Sequence, residues 1–184
     1  MVNINIQNEL VSALKELYKN DFSLIERRCS ERSIVFKLGV YLDRNFKRRE
    51  IDVDCEYNKN GYKPKSLMKR RLNYPDLIVH KRDNNLDNLL IIEVKTSSDR
   101  NKKHFQNDID KLKGFTEVGK YSYCLGAHIF ISKNRCSIAW YSKGNFLSLD
   151  SYSVSANSLN LIEGNDNMKL YAFEKYHRKI QQKE

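Results

Sequence analysis

The segment formed by residues 74–95, YPDLIVHKRDNNLDNLLIIEVK, limits what this chain can fold into more than any other stretch. It contains two short apolar runs, residues 77–79 and 89–92, separated by a polar stretch rich in Asp and Asn. Nearly unbroken apolar runs of this length are typical of strands that are buried on both faces of a sheet. The short polar connection carries turn residues, so the segment predicts an antiparallel hairpin.

Three charged residues flank the apolar runs of this hairpin. Asp76 opens the first strand, and Glu93 and Lys95 close the second. Side chains alternate along a strand, so Glu93 and Lys95 share one face, and the expected register brings Asp76 close to them. Neighbouring carboxylates repel each other unless a cation lies between them, and Mg²⁺ prefers such oxygen ligands. A lysine beside them can orient or deprotonate a water, or neutralise charge on phosphorus.

These residues carry a resemblance to a known family. Pro75-Asp76, a gap of 16 residues and then Glu93-x-Lys95 is similar to the signature of the PD-(D/E)XK nuclease superfamily, in a bacterial or phage-type branch. The resemblance implies that Asp76, Glu93 and the Val94 carbonyl bind Mg²⁺, for which Mn²⁺ can substitute, and that Lys95 assists the attacking water. The plain alternative is an ordinary hairpin with a surface aspartate and an exposed Glu/Lys pair.

A fourth candidate residue precedes the hairpin, in a helix predicted over residues 30–45. Ser30 is a suitable N-cap, and Glu31 lies in the first turn, where a carboxylate favours the helix dipole. Glu31 also falls on the same helical stripe as Val35 and Leu38, which is the face expected to be buried. Members of the superfamily carry an acidic residue on this helix, so Glu31 resembles a further catalytic residue and metal ligand. The alternative is a partly exposed glutamate that interacts only with the dipole.

Hydrophobic periodicity divides the rest of the chain into further elements. It predicts helices over residues 3–20 and 101–117 and across the last 20 residues. It predicts strands over residues 50–57, 121–132 and 135–141, and a Ser/Asn-rich loop over residues 151–160. The order of elements favours an α/β fold with a central mixed sheet flanked by helices.

The stretch from about residue 30 to residue 141 is similar to the αβββαβ core of the restriction-endonuclease-like fold. At 184 residues the chain suits a single domain, 1–184, in which helices are added before and after this core.

The chain is strongly basic, with a formal net charge of +10 that favours an anionic partner such as nucleic acid. Basic residues are concentrated around one turn-rich stretch and at the end of the preceding helix. The candidate nucleic-acid contacts are Lys63, Lys65, Lys69, Arg70, Arg71, Arg48 and Arg49. Lysines interleaved with an aromatic residue suit contacts with a nucleic-acid backbone, and the alternative is a flexible surface loop.

Several absences in the sequence narrow the class of protein. The four cysteines are scattered without metal-ligand spacing, and there is neither a secretory leader nor a long apolar segment. We therefore expect a cytoplasmic protein with no membrane association. The resemblance implies a Mg²⁺-dependent phosphodiester hydrolase that acts on DNA in preference to RNA. The oligomeric state stays open, with a homodimer or a partner complex among the alternatives. The second hypothesis is a non-catalytic module that keeps the fold and binds nucleic acid or a partner protein.

Overall fold

A computed structural model describes residues 5–47, 50–60, 63–65, 67, 74–82, 87–97 and 102–162. The helices are α1 (Ile6–Glu26), α2 (Glu31–Phe46) and α3 (Lys102–Thr116). The strands are β1 (Asp52–Cys55), β2 (Lys59–Asn60), β3 (Lys63–Pro64), β4 (Leu77–His80), β5 (Leu90–Thr96), β6 (Leu125–Ile131), β7 (Arg135–Ser142), β8 (Asn145–Ser155) and β9 (Ser158–Ile162). Within these ranges, no helix is long and apolar enough to cross a membrane.

Among the described residues, seven strands form one mixed sheet in the order β1-β4-β5-β6-β7-β8-β9, while β2 and β3 pair separately. In this sheet β5 and β6 are parallel and the other neighbouring strands are antiparallel. A parallel pair needs a long crossover, and α3 supplies it. The chain therefore has the predicted α/β architecture, with a mixed sheet flanked by helices.

The predicted hairpin is present as β4 and β5. Leu77 lies opposite Ile92, and Val79 lies opposite Leu90. All residues of β4 and six of the seven in β5 are buried, which explains why their sequences are apolar rather than alternating. Extending the register by one residue places Asp76 opposite Glu93.

The two faces of the sheet are covered by different helices. Leu77 and Ile92 belong to the hydrophobic cluster formed with α1 and α2, whereas Ile78 and Ile91 belong to the cluster formed with α3. Side chains two residues apart share a face, so Glu93 follows Ile91 onto the α3 side. The sheet therefore directs the charged end of β5 toward α3.

A glycine in β6 permits the close packing of α3. A Cβ atom at Gly126 would lie 3.2 Å from Thr116 Cγ2 and 3.4 Å from Leu112 Cβ. These separations are tighter than or at the edge of ordinary van der Waals contact, so a larger residue would push the helix outward. Gly126 thus helps to set the distance between α3 and the sheet.

The first helix is longer than its sequence predicts. The periodicity predicts a helix over residues 3–20, but α1 continues to Glu26 through a kink at Asp21, where φ is −125° and ψ is 23°. The Tyr41 hydroxyl donates a hydrogen bond to the Asp21 carboxylate, which ties the kink to α2. The residues beyond the kink form a further helical turn instead of an irregular connection, and Ile25 in this turn is buried.

The prediction of a loop over residues 151–160 is wrong. These residues belong to β8 and β9, which form a hairpin through Ala156 and Asn157, with φ values of 47° and 59°. Positive φ at both central residues is the geometry of a type I′ turn, whose twist matches that of the strands. Tyr152 and Leu159 are buried and supply the apolar contacts that the serine-rich sequence conceals. The helix predicted for the last 20 residues lies outside the described part of the chain.

Candidate active site

The candidate site lies where β4 begins and β5 ends. Asp76 precedes β4, and its Oδ2 accepts a hydrogen bond of 2.6 Å from the Val94 backbone N–H. This bond fixes the carboxylate across the hairpin. Burial raises the pKa of Asp76 to about 6, against the opposing effects of the Val94 N–H and the Lys95 charge.

Glu93 is the most deeply buried charged residue of the site, with 1% of its surface exposed. Its Oε2 lies 2.7 Å from Lys111 Nζ, while its Oε1 is buried without a hydrogen-bond partner. Burial and then the charge of Asp76 raise the pKa of Glu93 above its usual range. A buried carboxylate oxygen without a partner is costly, so Glu93 can accept a further electropositive group.

Glu31 reaches the site from the first turn of α2. The Ser30 side chain caps this helix by accepting a hydrogen bond from the Ser33 N–H, as the sequence predicted for an N-cap. Glu31 Oε1 lies 3.2 Å from Lys95 Nζ, and Oε2 accepts a hydrogen bond of 3.3 Å from the Thr96 N–H. The structure therefore brings Glu31 to the end of β5, with its carboxylate beside Lys95.

Lys95 lies between two carboxylates from opposite faces of the sheet. Its Nζ is 3.2 Å from Glu31 Oε1 and 3.2 Å from Asp108 Oδ2. Burial acts to lower the pKa of Lys95, but the charges of Asp108 and Glu31 outweigh it and raise the pKa above its usual value. The ammonium is therefore charged at neutral pH, which suits donation to a water or a phosphate oxygen rather than proton abstraction.

Two residues of α3 complete the arrangement and were not among the predicted site residues. Lys111 Nζ lies 3.0 Å from Asp108 Oδ1, one helical turn away, and it also contacts Glu93. Burial acts to raise the pKa of Asp108, yet the charges of Lys111 and Lys95 outweigh it, so this pKa is lowered. Asp108 and Lys111 thus connect Glu93 to Lys95 through alternating charges.

The sequence contained a signal for Asp108. It lies three residues after Phe105 and four before Leu112, so helical spacing puts it on the same face as these two apolar residues. A carboxylate on a buried stripe needs a partner, which marks it as a candidate site residue. Helical spacing alone could not identify that partner, because Lys95 is on a different element.

The donor set fits a hard divalent cation with few protein ligands. Within the described residues, no group of three or more His, Cys, Asp or Glu side chains is arranged to hold a metal. Mg²⁺ commonly takes only one or two carboxylates and fills its other positions with water and phosphate oxygens. Asp76 and Glu93, with the unpartnered Oε1 of Glu93, meet that requirement.

A cleft of about 480 Å³ opens beside the site. The residues lining it come from the start of α2, the end of β1 and the start of the hairpin: Glu31, Arg32, Val35, Phe36, Cys55, Glu56 and Asp76. Glu93 and Lys95 have side chains only 1% and 12% exposed, so the cleft provides an approach to the site at Asp76.

The predicted nucleic-acid contacts differ in how exposed their side chains are, and several of them lie outside the described residues. Lys63 is exposed on β3. Lys65 is 2% exposed, and its Nζ donates a hydrogen bond of 2.6 Å to the Tyr123 hydroxyl. Burial lowers the pKa of Lys65 to about 8, and this side chain does not offer the exposed ammonium expected for a phosphate contact. The other predicted contacts lie outside the described residues: Arg48, Arg49, Lys69, Arg70 and Arg71.

The structure thus brings Asp76, Glu93, Lys95 and Glu31 to one end of the β4–β5 hairpin, with Val94 between the two charged residues of β5. No protein-family model matches this sequence, and no curated protein matches it.

Proposed function

We propose that this chain is a Mg²⁺-dependent phosphodiester hydrolase that acts on nucleic acid, with DNA favoured over RNA. The observation that carries the proposal is the convergence of Asp76, Glu93 and Lys95, with a buried Glu93 oxygen that has no hydrogen-bond partner. The net charge of +10 supports an anionic substrate.

The order of elements supports the proposed resemblance to PD-(D/E)XK nucleases. The run α2, β1, β4, β5, α3, β6 follows the expected αβββαβ order once the small β2–β3 ladder is set aside. The positions of the candidate residues also support the resemblance, with Glu31 on the first helix of this run, Asp76 directly before β4 and Glu93 on the adjacent strand β5.

In the proposed mechanism the metal site is formed by the carboxylates of Asp76 and Glu93, and the Val94 carbonyl is a further candidate ligand. When bound, Mg²⁺ or Mn²⁺ supplies Lewis-acid polarisation of the scissile phosphate. The Val94 N–H orients Asp76, and Lys111 orients Glu93 through one oxygen, leaving the other for the cation.

Lys95 has a separate role in this proposal. Its charged ammonium donates a hydrogen bond to the attacking water or to a phosphate oxygen, and thereby stabilises charge that develops on phosphorus. Glu31 and Asp108 hold the ammonium in place and keep it protonated.

The test is cleavage of supercoiled, linear and single-stranded DNA and of RNA, with Mg²⁺, Mn²⁺ or EDTA. The variants are Asp76→Asn, Glu93→Gln and Lys95→Met, with Asp110→Asn, an exposed position on α3, as the matched control. We expect each site variant to lose at least about 100-fold in rate while remaining folded, because each removes a group that acts on the transition state. Cleavage by all three folded variants at the parent's rate would overturn the proposal.

A non-catalytic binding module is the second candidate, and the ion pairs of the site favour it. Lys111 pairs with Glu93, and Lys95 pairs with Glu31 and Asp108, so much of the buried charge is compensated within the protein. Thermal melting with Mg²⁺ or Mn²⁺ separates the two candidates. Only a metal-binding site raises the melting temperature, and only in the parent and not in Glu93→Gln.

A further inference from the structure

An exposed aromatic ring stands beside the candidate site. Phe36 lies on α2 with 60% of its surface exposed, one helical turn after Arg32. It lines the same cleft as Glu31 and Asp76. Burial elsewhere in this helix is strong, since Ile34 and Leu38 are 1% and 0% exposed, so Phe36 belongs to the face turned away from the core.

The charges of the cleft distinguish between the parts of a nucleotide. Glu31, Glu56 and Asp76 contribute three carboxylates to the lining, whereas Arg32 contributes one guanidinium. This lining repels a phosphate in the absence of a bound cation, but it accepts an uncharged heterocycle. The Arg32 side chain is 90% exposed and lies 3.7 Å from Glu56, so it stands at the rim, where a phosphate can reach it.

We propose that this cleft binds one unpaired nucleobase, which stacks on the ring of Phe36 and sets the adjacent phosphodiester beside Asp76. This inference rests on the proposed function and adds a substrate class: single-stranded nucleic acid, or a duplex end or junction with unpaired nucleotides. Stacking on an aromatic side chain tolerates any base, because every base has a π face. A base inside a duplex is stacked between its neighbours and must leave the helix to reach the ring.

The size of the cleft and its position agree with this occupant. A volume of about 480 Å³ falls within the range of pockets that hold small organic groups. Phe36 and Asp76 line the same cleft, so a base on the ring and its neighbouring phosphate can occupy it together. A base held there supplies positioning, because it fixes the scissile bond relative to the carboxylates.

Binding without cleavage tests the stacking contact directly. The affinity of a labelled single-stranded oligonucleotide is measured by anisotropy in Mg²⁺, so that the cation can offset the carboxylates of the cleft. The cleavage-impaired Lys95→Met chain serves as the parent, and Phe36→Ala and Phe36→Tyr are added to it. We expect Phe36→Ala to weaken single-strand binding by roughly 5- to 100-fold, and Phe36→Tyr to keep it, because only the ring is required. Blunt duplex binding should change little in either variant. Val118→Ala, at an apolar position 77% exposed after α3, is the matched control.

A Phe36→Trp variant reports stacking by fluorescence. The chain has one tryptophan, Trp140, which is 0% exposed and so is shielded from a bound base. A base stacked at position 36 therefore quenches the fluorescence of the added tryptophan. We expect single-stranded oligonucleotide to quench this variant and not the parent.

Equal single-strand affinity for Phe36→Ala and the parent, or no quenching of Phe36→Trp, would overturn the inference. Its failure is distinct from failure of the proposed function. If metal-dependent cleavage occurs but does not depend on Phe36, only the stacking contact is rejected. If single-strand binding requires Phe36 but no metal-dependent cleavage occurs, the stacking contact is supported and the proposed enzymatic activity is rejected.

Discussion

At the scale of single residues, the site is a chain of alternating charges taken from three elements. Glu93 contacts Lys111, Lys111 contacts Asp108, Asp108 contacts Lys95, and Lys95 contacts Glu31. Removing one member of a buried ion pair leaves an uncompensated charge, which costs far more than the pair contributes. Each side chain therefore constrains the position and the protonation of the next.

Asp108 and Lys111, the two charged residues that α3 adds to the site, should support the proposed activity without contacting the substrate. We expect Asp108→Asn and Lys111→Met each to lower metal-dependent cleavage by about 10- to 100-fold, the usual cost of losing a group that orients a metal ligand. Lys111→Met removes the ammonium that pairs with Glu93. Asp108→Asn removes the carboxylate that lies between Lys95 and Lys111. Titration of Mg²⁺ separates weaker metal binding from a slower chemical step. Asp110→Asn on the same helix is the control, and an Asp108→Asn variant with the parent's rate and metal affinity would contradict the prediction.

Lys65 gives a prediction about stability and pH. The pKa of its ammonium is about 8 in the folded chain, below its ordinary value of 10.5. Between these pH values the unfolded chain binds a proton that the folded chain does not, so the free energy of unfolding falls as the pH falls from about 10.5 to 8. Below pH 8 the loss is complete and amounts to at most about 3 kcal/mol.

Lys65→Met removes this penalty. We expect the free energy of unfolding of the variant, relative to that of the parent, to increase when the pH is lowered from 10 to 7. Urea unfolding at both pH values measures this difference. Loss of the hydrogen bond to the Tyr123 hydroxyl lowers stability at both pH values and does not affect the comparison. A stability difference that is the same at pH 7 and pH 10 would show that Lys65 titrates normally.

At the scale of elements, α2 connects the core to the site. Its apolar face packs under β4 and β5 through residues such as Leu38, while its first turn carries Glu31 to the end of β5. Gly39 allows this approach, because a Cβ atom there would lie 3.0 Å from Leu77 Cδ2. The helix and the hairpin are therefore positioned by direct contact.

The cap of α2 is a test of this connection. Ser30→Ala removes the acceptor for the Ser33 N–H and should cost about 1 kcal/mol of stability. It should also slow cleavage, because the first turn that holds Glu31 beside Lys95 frays. Asn5→Ala is the matched control, since Asn5 caps α1 by accepting from the Asn8 N–H and α1 carries no site residue. Equal effects of the two variants on cleavage would show that the α2 cap has no special role.

At the scale of the whole molecule, the excess of basic residues bears on the proposed function. The 33 lysines and arginines exceed the 23 aspartates and glutamates, and the site itself is rich in carboxylates. If the chain acts on nucleic acid as proposed, basic residues outside the site attract it, because the carboxylates of the site repel phosphate when no cation is bound.

This balance predicts salt-sensitive binding. We expect the affinity of the Lys95→Met variant for nucleic acid to fall at least about tenfold between 50 and 200 mM salt, as counterions compete for the phosphates. Lys63→Ala should reduce the slope of log affinity against log salt by about one if Lys63 contacts a phosphate. Lys65→Met, in which the lost ammonium was buried, should leave the slope unchanged. Affinity that is independent of salt would remove the case for a phosphate-binding surface.

Local patterns in the sequence were sufficient to predict the hairpin, its register and the helices α2 and α3. Those features depend on apolar runs, caps and turns that are close in sequence, and Asp76 and Glu93 are placed by the pairing of adjacent strands. The sequence does not predict the β8–β9 hairpin, because its serine-rich strands lack a strong apolar pattern. The hairpin is stabilised by the side chains of Tyr152 and Leu159, which are buried.

Tertiary structure alone decided the remaining contacts of the site. Asp108 and Lys111 meet Lys95 and Glu93 only because β6 pairs parallel to β5, which brings α3 back across the face that carries the charged side chains. Sequence spacing places a residue on a face, but it does not specify which face of another element lies opposite. The partners of buried charges, and with them the protonation of Lys95, are therefore properties of the packed molecule.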